Sequence, residues 1–156
     1  MAGVEANFAF PVIEALIVAQ HGEPRALTGD ELLILDAGGE AMVTFIRDRW
    51  PVDTGSSQDA WMAHTSGSPG TIGIQITNDL DYAEWVHPTG TASGDWYWQS
   101  LVTQAWTTVK PGLIADLSGQ IIATEQAIRA AGGSRRATLR AQAGTLRVQR
   151  VSAGVA

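Results

Sequence analysis

Thr28-Gly29-Asp30-Glu31 carries a capping-box pattern, in which a threonine hydroxyl and a glutamate carboxylate satisfy orphan amides at a helix start. It predicts a helix over about 29–49, and Pro51 ends that helix because proline cannot continue the hydrogen-bond ladder. Leu32, Leu35, Met42 and Ile46 fall close to one stripe of it, while Glu40, Arg47 and Asp48 face water. Gly38-Gly39 costs roughly 1 kcal/mol per glycine relative to alanine, so the pair marks close packing or a kink. Directly downstream the period changes from helical to alternating, since Ile72, Ile74 and Ile76 alternate with small or polar residues and belong on one face of a half-buried strand.

That switch of period predicts an α+β fold, with a small antiparallel sheet of about four strands flanked by two main helices. Strand-like segments lie at 58–65, 71–77 and 82–87, separated by the Ser66-Gly67-Ser68-Pro69-Gly70 loop and the Asn78-Asp79 turn, as in an antiparallel meander. The second main helix spans 112–131, with Ile114, Leu117, Ile121 and Ile128 on one stripe and Gly132-Gly133 as its stop. A helix is also expected over 96–108. The apolar segment 8–20 reads as a short helix starting near Pro11 and stopped by His21-Gly22, with a buried strand as the alternative. Thr145–Val151 has Leu146 and Val148 on alternate positions, a candidate strand for pairing with a neighbouring subunit. The expected organisation is therefore one domain over 1–133 and a basic C-terminal arm over 134–156.

Charge separates the two. All sixteen acidic residues lie at or before Glu125, where the basic residues are only Arg25, Arg47, Arg49 and Lys110. Beyond Glu125 the charges are Arg129, Arg135, Arg136, Arg140, Arg147 and Arg150, which suggests a docking arm on an acidic body. A net charge of −6 argues against a general nucleic-acid binder, which needs a basic face to displace phosphate counterions. With no cysteine the chain has neither a disulfide framework nor cysteine-based zinc sites, and it suits assembly in a reducing cytoplasm. The apolar run 8–19 is too short for a bilayer and lacks the basic start and cleavage site of a secretory signal, so no membrane role is expected.

Val52-Asp53-Thr54-Gly55-Ser56-Ser57 is nearly the signature around the catalytic aspartate of aspartic proteases, where two such loops share a proton and activate water. A single copy works only in a homodimer. In those enzymes the loop leaves a hydrophobic strand; here Phe45–Pro51 reads as a charged helix end and a proline stop, and Thr71-Ile72-Gly73 comes too early for the second element. A non-catalytic account suffices: Pro51 stops the helix, Asp53 and Thr54 bond nearby amides, and Gly55 takes positive φ, which makes a structural corner. Asp79, Asp81, Glu84, His87 and Asp95 match no metal-binding spacing and read as a solvated acidic edge, while His21 and His64 lack a helical partner histidine. Neither a catalytic residue, a metal nor a cofactor is expected.

Read with its surroundings, the turn resembles the tail-completion or neck protein family of long-tailed bacteriophages. That family has a helix ending in Pro-x-Asp-Thr-Gly, a strand, a variable hairpin and a Tyr-Ala-x-aromatic-Val-x-x-Gly-Thr stretch. Trp50-Pro51-Val52-Asp53-Thr54-Gly55 supplies the first part, and Tyr82, Ala83, Trp85, Val86, Gly90 and Thr91 the second, with Gly-Thr displaced by one residue. The match spans roughly 30–130 in order and spacing. It departs at Ser56-Ser57-Gln58-Asp59-Ala60, where the family has a leucine, a basic residue and a serine, and at His87, where a glutamate is common.

The resemblance implies a non-enzymatic virion protein, assembled in the host cytoplasm and placed at the top of the tail. Such proteins form rings, commonly sixfold, that complete the tail tube and present a surface to the connector or stopper of the filled head, with DNA passing through unbound. Trp85, Trp96, Tyr97, Trp98 and Trp106 form an aromatic concentration suited either to a subunit interface or to a core cluster. The C-terminal arginines are expected to dock on an acidic face of an adjacent ring or subunit. An accessory DNA-binding role in the neck is the alternative for them.

Overall fold

The computed structural model describes residues 3–51, 56–86 and 97–152, and over 133–152 it describes helical backbone. The elements run β1 (Val4–Ala9), α1 (Pro11–His21), α2 (Gly29–Arg49), a short α3 (Ser56–Asp59), β2 (Trp61–Ser66), β3 (Gly73–Asn78), a 3-10 turn (Ala83–Trp85) and α4 (Tyr97–Ser152). Two compact units divide the chain, residues 1–121 and 122–156. The boundary falls inside α4.

The first unit is an α+β structure on a three-stranded antiparallel sheet of order β1-β3-β2. Val4, Ala6 and Phe8 share a face with Ile74, Ile76 and Asn78 and with Trp61, Ala63 and Thr65, because side chains alternate along each paired strand. That face meets the helices and forms the core with Ile13, Ile17, Leu35, Met42, Val43, Ile46 and, from α4, Leu101, Ala105, Leu113, Leu117 and Ile121. On the opposite face Glu5, Asn7, Met62 and His64 are exposed.

Helix α2 forms as its signals predict. Thr28 accepts from the Glu31 amide, and the Glu31 carboxylate returns to the Thr28 amide at 2.8 Å, completing the capping box. The glycine pair serves close packing: a Cβ at Gly38 would lie 2.5 Å from a Leu113 methyl, and one at Gly39 would lie 3.0 Å from the Ala63 Cβ. These glycines let α2 approach α4 on one side and β2 on the other. Helix α1 starts at Pro11 and ends at Gly22, whose φ of 94° and N–H bond to the Val18 carbonyl close it.

Five expectations are corrected. The sheet has three strands, and its third member is β1 rather than a downstream segment. Of the strand expected over 82–87, the described residues 82–86 are not strand: Ala83, Trp85 and Val86 donate to the carbonyls of Leu80, Tyr82 and Ala83, so local bonds take the amides a ladder would need. The helices expected at 96–108 and 112–131 are one helix, with Pro111 inside it. Proline withholds one i→i−4 bond, but core residues on both sides, Ala105 and Leu113, hold the flanking turns.

Gly132-Gly133 does not stop α4 either, and 145–151 is helical rather than a strand. Alanine, arginine, glutamine and leucine are strong helix formers and dominate residues 135–150. Extending a helix already nucleated costs far less than starting one, so the run propagates through two glycines. In the second unit residues 126–132 are exposed, including Ile128 at 44%.

Candidate functional site

The C-terminal end of α2 is a hydrogen-bonded corner. Helix ends leave carbonyls without partners, and here they are supplied: the Arg47 carbonyl accepts from the Trp50 amide and from Gln58 Nε2 at 2.7 Å, and the Arg49 carbonyl accepts from the Tyr97 hydroxyl at 2.9 Å. The Arg47 guanidinium donates to the Trp61 carbonyl at 2.7 Å, tying α2 to the start of β2. Trp50 packs edge-on against Trp61 at 5.0 Å and stacks on Tyr97 at 5.7 Å. Burial pushes the Tyr97 phenol above its ordinary pKa, against the opposing pull of the Arg49 charge.

Asp53, Thr54 and Gly55 lie outside the described residues, but their flanks are clear. Pro51 follows α2 and Ser56 opens α3, so helices border residues 52–55 on both sides. Trp50 Nε1 donates to Ser57 Oγ, and buried Asn78 donates through Nδ2 to the Ser57 carbonyl at 2.8 Å. The other half of the Asn78 amide accepts from the Leu80 amide at 3.2 Å. One side chain thus joins α3 to the segment that leads into Tyr82. In sequence Asn78 is only a turn former; its bridging role depends on a residue 21 positions away and has no local signature.

Removing that bridge leaves a buried carbonyl and a buried amide to find new partners. Asn78→Ala is therefore expected to cost about 2 kcal/mol, read as a shift in the urea unfolding midpoint. Asn78→Asp, which sets a buried carboxylate against the Ser57 carbonyl, should cost at least as much near neutrality.

Beyond Asn78 the chain turns outward. Ala83 is buried and Val86 packs against the core, while Tyr82 and Trp85 remain 47% and 65% exposed, with Asp79 and Asp81 exposed beside them. Trp98 and Trp106 pack against the core, and Trp106 stacks on Phe8 at 4.8 Å. The aromatic concentration therefore divides: Tyr97, Trp98 and Trp106 serve the fold, and Trp85 faces outward. Gly90, Thr91 and Trp96 lie outside the described residues, as do His87 and Asp95. Arg129 is an exposed helical residue, and positions 135, 136, 140, 147 and 150 lie on the α4 backbone.

Among the described residues no three His, Asp or Glu side chains are grouped to hold a metal ion. No described helix is long and apolar enough to cross a membrane. A shallow trough of about 310 Å³ on the open sheet face is lined in part by Asn7, His64, Ser66 and Gly73. Thr77 and His64 bond across that face at 3.3 Å, and Gln75 donates to Glu5 at 2.8 Å. No family model, no curated protein and no solved structure matches this chain.

Proposed function

We propose that this chain is a non-enzymatic structural protein of a phage virion, a subunit of the ring that completes the tail at the head-tail neck. The observation that carries the reading is the ordered pair of sequence stretches, Trp50–Gly55 and Tyr82–Thr91, whose neighbouring residues Ser57 and Leu80 are bridged through Asn78. A corner with its carbonyls capped and its indole rings packed is suited to holding a helix and a sheet at a fixed angle. Exposed Tyr82 and Trp85 supply the apolar area with polar edges that subunit interfaces favour.

In this reading copies of the chain meet head to tail around an axis, so that the contact closes by rotation. One rim of the ring caps the tail tube and the other receives the connector or stopper of the filled head. The first unit carries fifteen acidic residues against four basic ones, a balance that keeps DNA moving through a channel rather than holding its phosphates.

The test is the absolute mass of the purified protein by light scattering, alone and mixed with its tail-tube protein. A closed ring, commonly a hexamer for proteins of this kind, or a ring that forms only with the tube, is the expected result. A dimer that cuts peptides and loses that activity on Asp53→Asn would overturn the reading in favour of an aspartic protease.

A further inference from the structure

The unbroken backbone of α4 gives the C-terminal arginines an order that the sequence string hides. At 3.6 residues per turn, positions 129, 136, 140 and 147 fall within about 20° of one line, and the row they form is about 27 Å long. Ile128, Leu139 and Leu146 form a second row roughly 90° to one side. Basic and apolar positions thus run side by side along the helix, and Ile128 is exposed where the side chains are described.

No acidic residue follows Glu125, so the five arginines beyond residue 133 call for a partner of opposite sign. Residues 122–156 carry six arginines against Glu125, while 1–121 carry the acidic excess. A surface of matching chemistry is present on the chain itself: the loop after β3 places Asp79 and Asp81 beside exposed Tyr82 and Trp85. Guanidinium groups pair with carboxylates and lie flat on aromatic rings, and aliphatic residues pack against the same rings.

We infer that the arginine-bearing face of α4 docks on the Asp79–Trp85 loop of a second copy of this chain. The contact is heterologous, with donor and acceptor surfaces in different places on one molecule, which is the kind that closes rings. It deepens the ring reading by naming the surfaces that meet.

A charge-swap experiment on the full chain tests it. One variant carries Arg136→Asp, Arg140→Asp and Arg147→Asp; a second carries Asp79→Arg and Asp81→Arg; a third carries all five. Self-association is followed by light scattering at low and high salt, with circular dichroism to establish that each variant folds. The first two variants are expected to lose about tenfold or more in self-affinity, the third to regain most of it, and salt to weaken the parent.

Assembly unchanged in the arginine variant, or lost there but kept in the loop variant, would overturn the docking while leaving a ring intact by another contact. A parent that stays monomeric would overturn it as well. Retention of duplex DNA by the parent, lost in the arginine variant without any change in assembly, would assign the row to nucleic acid instead. If the charge swap restores association but the particle is a dimer or an open chain, the docking stands and the ring reading fails.

Discussion

Trp61→Ala removes about 4 kcal/mol of unfolding free energy, a large share of what a domain of this size holds. Trp61 is fully buried at the start of β2, edge-on to Trp50, and it sits where the α2 corner and the sheet meet. The truncation leaves a cavity that Trp50, itself hydrogen-bonded to Ser57, cannot move to fill. Trp61 Nε1 has no hydrogen-bond partner among the described residues, so phenylalanine forfeits volume and none of the described bonds. Trp61→Phe should therefore cost only about 1–2 kcal/mol. Urea unfolding of both variants checks the pair, and a Trp61→Ala loss no larger than that of Trp61→Phe would contradict the packing described.

Arg25→Ala is the second large effect, at about 3 kcal/mol near neutrality. Glu31 is wholly buried, and Arg25 reaches it with two parallel bonds of 2.7 and 2.9 Å while the Thr28 amide donates to the same carboxylate. Burial alone would push the Glu31 carboxyl up, but the Arg25 bonds and charge together with the Thr28 amide outweigh it, and the carboxyl lies below its ordinary value of 4.5. A group whose pKa falls on folding stabilises the fold above the unfolded value and loses that contribution as pH drops through the folded one. Without Arg25 the buried carboxylate is uncompensated near neutrality and is neutralised by protonation in acid. The gap between parent and variant should accordingly narrow when unfolding is compared near neutrality and at about pH 3.5. A gap independent of pH would mean that lost packing, not lost charge pairing, sets the cost.

Much of the fold was legible where the signals were local. The capping box, Pro11, Gly22 and the alternating isoleucines of β3 depend only on near neighbours in the chain, and each reads the same way in the structure. Strand β1 escaped because Val4–Ala9 abuts the apolar start of α1, so its alternation merges into a longer run. Tyr82–Val86 has strand-forming residue types, yet with β1 and β2 already on the two sides of β3 its amides bond locally. The extent of α4 was hidden by two glycines and a proline, whose local penalties are outweighed by buried residues in one part and strong helix formers in the other. Of the candidate site, exposed Tyr82 and Trp85 were legible as residue types, whereas Asn78 and the Trp50–Ser57 pair required the fold to bring distant positions together.

Copies of this chain are proposed to close into a ring on the tail tube. Negative-stain electron microscopy of purified tubes incubated with the protein tests it most directly. A ring with an open centre is expected at one end of each tube and none along its length, with tubes so capped no longer growing. Tubes with bare ends beside free monomers or dimers of the protein would contradict it.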